Sequence, residues 1–128
     1  DGVVIPKDRA AAVTPAVVRA SSGASEHLRI ARVVNLHQTI HWLHEQQLWI
    51  VGLEAVPEAR LYTTADLSGP LCLVIGSEGA GLGRLVRQSC DFLISLPVRG
   101  RIGSLNAAAA AAVALYEVLR QRSAVASA

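Results

Sequence analysis

The sequence predicts an α/β fold, an open and mostly parallel sheet with helices on both faces. Three features predict it. Five short runs, residues 2–5, 30–34, 48–53, 71–75 and 92–96, are continuously apolar instead of alternating, as strands covered on both faces are. Segments of helical spacing lie between them, joined by short links. The last two strands run into glycine-containing turns, and open α/β sheets bind ligands at the carboxyl ends of their strands.

Each element has a local cause. Val3, Val4 and Ile5 are β-branched and stop at Pro6. Thr14 followed by Pro15 is an N-cap with proline at the first helical position, opening a helix to about Ala24. Asn35 caps a second helix with Leu36, Ile40, Leu43 and Gln47 on one face. A short third helix covers residues 82–90. Ser104 opens the last and longest, running to about Arg122 with Leu105, Ala108, Ala112, Leu115 and Leu119 at helical spacing. Arg120 and Arg122 stand near its carboxyl end, where the helix dipole favours cations. The alanine run at 107–112 suits a close helix contact.

The chain of 128 residues fits one domain, and 52% apolar against 17% charged residues excludes a disordered chain. With aromatics at 4% and no Met, the core must be aliphatic. No apolar run approaches the roughly 20 residues that span a bilayer. Residues 1–6 have neither the basic nor the long apolar part of a secretory signal. Two cysteines make no disulfide framework; Cys72 in a strand and Cys90 at a helix end read as buried thiols. The expected compartment is the cytoplasm. Net charge is +2, yet eleven of the twelve cations are Arg, whose planar fork grips phosphate. Arg84, Arg87, Arg99 and Arg101 fall in one stretch whose single acid is Asp91, a local bias toward a nucleic-acid or phosphate partner.

Two segments carry candidate chemistry. Leu73-Val74-Ile75-Gly76-Ser77-Glu78-Gly79-Ala80-Gly81-Leu82-Gly83 takes a buried strand through a glycine-rich turn into a helix. It is no P-loop, because Leu82 stands where Lys is needed, and Arg84 occupies the third glycine position of a dinucleotide fingerprint. Glu78 either caps the next helix or meets a ligand. The second segment, Leu96-Pro97-Val98-Arg99-Gly100-Arg101-Ile102-Gly103-Ser104-Leu105-Asn106, is a basic loop that opens the final helix. Taken alone, Ser104 reads as a helix cap and Asn106 as a first-turn polar residue.

Taken together, Ile-Gly-Ser-Glu-Gly, then Leu-Pro, then Gly-Ser-Leu-Asn-Ala before an apolar helix resemble motifs 2 and 3 of the SpoU/TrmH family in the SPOUT superfamily. Gly-Val-Val-Ile-Pro-Lys-Asp-Arg at the start and Trp49-Ile50-Val51-Gly52 are similar to the branch that methylates a guanosine ribose in large-subunit ribosomal RNA. The resemblance covers nearly the whole chain. It implies a SPOUT fold with a carboxyl-terminal trefoil knot and S-adenosyl-L-methionine bent within it. It implies cofactor contacts at Ile75, Gly76, Ser77, Leu96, Pro97, Ser104 and Leu105. Glu78, Ser104 and Asn106 would border the reacting centre as catalytic residues, and Arg84, Arg99 and Arg101 would bind RNA. A homodimer through the carboxyl-terminal helix, with its alanine patch and Tyr116, is implied as well.

The sulfonium already makes the methyl electrophilic, so the protein supplies placement and removal of the 2′-hydroxyl proton. The family uses an Arg of motif 1 for that proton. Motif 1 and the amino-terminal RNA-binding extension have no counterpart here, so the expectation is a catalytic domain at 1–128, truncated at its amino terminus, that binds cofactor weakly and does not turn over. Ala107-Ala108 also stands where the family has Val-Ser or Ala-Ser. The alternatives are a non-catalytic cofactor-binding, RNA-binding or dimerisation fragment, a transfer-RNA ribose methyltransferase, and an unrelated α/β nucleotide-binding domain. His37, His41 and His44 share a helical stripe without a third ligand type beside them, so no metal is expected. Trp42 and Trp49 read as packing residues.

Overall fold

The structure, a computed structural model, describes residues 1–7, 12–77, 80–101 and 105–127. It divides into two compact units, Asp1–Thr39 and Ile40–Ala128.

In the first unit β1 (Gly2–Pro6) pairs in parallel with β2 (Arg29–Val33), in the register Gly2↔Arg29 to Pro6↔Val33. The crossover contains α1 (Pro15–Ala20), where Thr14 Oγ1 accepts from the Val17 amide at 3.4 Å, and a 3-10 turn at Ala24–His27. The helix stops four residues earlier than the sequence suggested. Ser22 turns left-handed (φ 53°), its amide donates to Arg19 O and the Gly23 amide donates to Val18 O at 2.8 Å, which closes the carboxyl end.

Helix α2 (Leu36–Glu45) has the expected cap, Asn35 Oδ1 accepting from the Gln38 amide at 3.0 Å. It ends before Gln47, which turns left-handed (φ 70°) instead of joining the helical face. Ile40 is its buried residue.

The second unit holds a sheet in the order β4-β6-β3-β5, every pair parallel. Its strands are β3 (Trp49–Leu53), β4 (Arg60–Leu61), β5 (Leu71–Ile75) and β6 (Phe92–Ser95). Central β3 buries Ile50, Val51 and Gly52 in succession, as its unbroken apolar run required. The two-residue β4 has no apolar run and was not anticipated. Helices α3 (Arg84–Ser89) and α4 (Ala107–Ala126) follow the last two strands. The core joins Val51, Ala65, Leu67, Ile94, Ala114 and Val118. Arg60 stacks its guanidinium on Phe92, 4.5 Å from the ring centre, and Trp49 tilts against the same ring. Trp42 and Trp49 both stay more than half exposed, so packing occupies only part of each ring.

Helix α4 departs from its expected layout at both ends and on its faces. It begins at Ala107, not Ser104: Asn106 is the cap, its side chain accepting from the amides of Ala108 (2.9 Å) and Ala109 (3.3 Å). The stripe of Ala108, Ala112, Leu115 and Leu119 faces outward, with Leu115 53% and Leu119 57% exposed. The buried face is Ala114, Glu117 and Val118. An alanine-rich helix carries apolar residues on several stripes, and the slim Ala114–Val118 side fits the core. Gln121 fastens that side: its Oε1 accepts from the Leu67 amide at 2.7 Å and its Nε2 donates to Ala65 O at 3.0 Å. Among the described residues, no helix is long and apolar enough to cross a membrane.

Candidate functional site

Parallel strands present their carboxyl ends on one edge, and the cavity of the second unit opens there. Leu53 ends β3, Ile75 ends β5, and Leu96 follows β6; all three line a space of about 460 Å³. The wall is completed by Glu54, Ala55, Val56, Gly76, Ser77, Ala80, Gly81, Val98, Leu105, Asn106, Ala107 and Ala110. The lining is apolar with a few polar groups, and its volume falls in the range of small-molecule sites.

The turn after β5 shapes one side. The Gly81 amide donates to Ser77 O at 2.9 Å, folding the chain back over Gly76. A Cβ on Gly76 would lie 2.2 Å from the Gly81 carbonyl carbon, so only glycine fits. Gly81 has φ +69°, a left-handed conformation, and a Cβ there would meet Glu54 Oε1 at 2.5 Å.

Sequence reasoning missed Glu54. It follows β3 directly and is the one charged residue among the described lining residues. Its Oε1 accepts from the Leu82 amide at 3.2 Å and from Arg87 Nη2 at 2.8 Å. Its Oε2 is buried and lies 2.7 Å from Arg87 Nε, an ionic contact without an aligned hydrogen bond. The only available signal was a carboxylate at the carboxyl end of a buried strand.

Of the expected cofactor residues, Ile75, Gly76, Ser77, Leu96 and Leu105 all line the cavity, whereas Pro97 is exposed beside Leu96 and is not part of the wall. Asn106 lines it too, while capping α4. Glu78 and Ser104 lie outside the described residues. Arg84, Arg99 and Arg101 are exposed and absent from the wall; their side chains make no hydrogen bond or ion pair among the described residues. Arg87, in contrast, is committed to Glu54.

The thiols are quiet. Burial pushes Cys72 above its usual range and Cys90 up to about 11, where Asp91, Cys72 and Glu54 add to the effect of burial. His41 lies 3.3 Å from Glu45, and His44 Nε2 lies 3.0 Å from Asp91 Oδ1, whose other oxygen accepts from the Ile50 amide. Among the described residues no three His, Cys, Asp or Glu side chains converge as metal ligands.

A glycine turn and a helix-opening loop thus meet across an apolar cavity at the strand ends, and the profile of the SpoU rRNA Methylase family matches residues 1–116. The chain belongs to that family. The 23S rRNA (guanosine-2′-O-)-methyltransferase RlmB of Coxiella burnetii is 49% identical over 122 residues, covering 95% of this chain and 48% of the relative. The SpoU methyltransferase AviRb of Streptomyces viridochromogenes, crystallised with its cofactor AdoMet, superposes with a TM-score of 0.86 at 32% identity, over 96% of this chain and 50% of that one. An AdoMet-bound rRNA methyltransferase from Sinorhizobium meliloti gives 0.83 at 29% identity, over 93% and 45%. The chain spans about half the length of these proteins.

Proposed function

We propose that this chain supplies the cofactor site of an RNA ribose 2′-O-methyltransferase acting on a guanosine of large-subunit ribosomal RNA. The observation that carries the reading is the cavity at the strand ends, walled on one side by Gly76, Ser77, Ala80 and Gly81 and on the other by Leu96, Leu105 and Asn106. Support also comes from the relatives named above: one is named for guanosine 2′-O-methylation of 23S rRNA, and two solved structures hold AdoMet.

The residues present fit such a cofactor. Gly76 and Gly81 leave backbone close to the cavity, where a larger residue would clash. Ile75, Leu96 and Leu105 offer apolar surface to an adenosine, and Ser77 and Asn106 offer polar contacts. When bound, S-adenosyl-L-methionine supplies an electrophilic methyl group. The protein then has to hold the ribose in line and accept help in removing the hydroxyl proton, the tasks assigned here to Glu78, Ser104 and Asn106. Pro97 would act by stiffening the loop after Leu96.

RNA binding is assigned to Arg84, Arg99 and Arg101, whose guanidinium groups are uncommitted among the described residues. The outward stripe of α4, with Leu115, Tyr116 and Leu119 exposed, supports a homodimer through the carboxyl-terminal helix. The carboxyl-terminal segment is inferred to thread a trefoil knot, as the family resemblance implies. A ribosomal RNA substrate supports a cytoplasmic location.

Calorimetric titration with S-adenosylhomocysteine tests the reading first. Saturable binding that Leu105→Arg or Gly76→Trp weakens supports it; absence of binding by folded protein moves a non-catalytic dimerisation or RNA-binding role ahead. Methyl transfer to large-subunit ribosomal RNA against transfer RNA then separates the two substrates.

A further inference from the structure

We propose that Glu54 and Arg87 form a positioning clamp that holds the cavity's glycine turn in its ligand-ready shape. The inference rests on the proposed cofactor reading for what fills the cavity, but the clamp itself is built from contacts within the chain. Glu54 hangs from the end of β3, and its side chain is 11% exposed. Across the cavity edge it takes the Leu82 amide at 3.2 Å, and Arg87 supplies the opposing charge at 2.7 and 2.8 Å. Its Oε1 rests where a Gly81 side chain would stand, and Gly81 in turn lies over Gly76.

A line of contact therefore runs from Arg87 through Glu54 to the Gly81–Leu82 backbone and on to Gly76. Three of these residues, Glu54, Gly76 and Gly81, line the cavity. The Leu82 side chain is itself buried beside Gly52 of β3, so the same strand holds this residue by backbone and by side chain. A carboxylate this enclosed is costly unless paired, and Arg87, half exposed on α3, answers its charge from the solvent side. The arrangement fixes backbone ahead of ligand arrival, the usual route by which a rigid site gains affinity. Glu54 is in this account a positioning residue, acting through the Leu82 amide.

The test compares wild type with Glu54→Ala and Arg87→Met by amide hydrogen exchange in the free protein and by S-adenosylhomocysteine titration. Loss of a charge-assisted hydrogen bond predicts Leu82 exchange about tenfold faster in Glu54→Ala, with Val51 in central β3 unchanged, and affinity about tenfold weaker. Glu54→Gln keeps an acceptor for the amide and should recover most of both. Arg87→Met removes the opposing charge together with its hydrogen bond but leaves the acceptor for the Leu82 amide in place, so a smaller change of the same sign is expected. Unchanged Leu82 exchange in Glu54→Ala overturns the clamp, and so does equal acceleration at Leu82 and Val51, which marks general loosening. A loosened turn with unchanged affinity overturns the link to binding. Wild-type protein that fails to bind sinks the cofactor reading instead, while the Leu82 exchange still decides the clamp.

Discussion

Replacing Gly76 by Ala puts a methyl group 2.2 Å from the Gly81 carbonyl carbon and 2.6 Å from the Leu82 nitrogen. Both are backbone atoms, so the turn must open to admit it. Gly76→Ala is expected to abolish S-adenosylhomocysteine binding in a titration, by at least about a hundredfold for a displaced wall. Leu105→Arg is the complementary case. Leu105 is 46% exposed, so the charge finds solvent and the melting temperature should barely move. Binding should nevertheless fall, because Leu105 lines the cavity. At this scale the sequence was a good guide where residue type and spacing form a motif: Ile75, Gly76, Ser77, Leu96, Leu105 and Asn106 meet around one space. It was silent on Glu54, whose partners Leu82 and Arg87 lie 28 and 33 residues away. Only folding brings such a group to the turn, and a single carboxylate after a strand has no pattern to announce it.

Helix α4 shows what local reading can and cannot decide at the scale of an element. Its existence as the last and longest helix followed from helical spacing. Its start and its inward face did not, since the cap is Asn106 and an alanine-rich helix offers several apolar stripes. Asn106→Ala should cost about 1 kcal/mol of unfolding free energy in urea, the usual loss of an N-cap, and Asn106→Asp should restore it. A second prediction concerns acid. Arg120, hydrogen-bonded at 2.6 and 2.9 Å, and then Gln121 hold the Glu117 carboxyl down at about 2 from an ordinary 4.5. A carboxyl whose folded value is depressed adds stability that is complete above the unfolded value. That stability fades as pH falls from about 4.5 toward 2. Thermal melts should therefore drop through this window in wild type and drop less in Glu117→Gln.

For the whole molecule, the exposed stripe of Leu115, Tyr116 and Leu119 predicts association. Wild type should sediment as a dimer, and Leu115→Asp with Leu119→Asp as a folded monomer. The cations act at the same scale. If Arg84, Arg99 and Arg101 each neutralise one phosphate, single Ala variants should lower the salt slope of RNA binding by about one each. The α/β class and the parallel sheet were legible because buried strands announce themselves by unbroken apolar runs. The strand order was not, since periodicity says nothing about which strand lies beside which.

That order also sets a timetable for synthesis. β4 leaves the ribosome before β5 and β6, yet its sheet neighbour is β6, which also takes one edge of β3. The sheet is completed by insertion of its last-made strand between two older ones. At about 5–20 residues per second, several seconds separate the end of β3 from the end of β6. Throughout that interval the strand carrying Ile50 and Val51 has an open edge, and β4 waits with nothing to pair with. Nascent chains should therefore call on chaperones until β6 has emerged, and refolding from denaturant should be slow for a domain of this size.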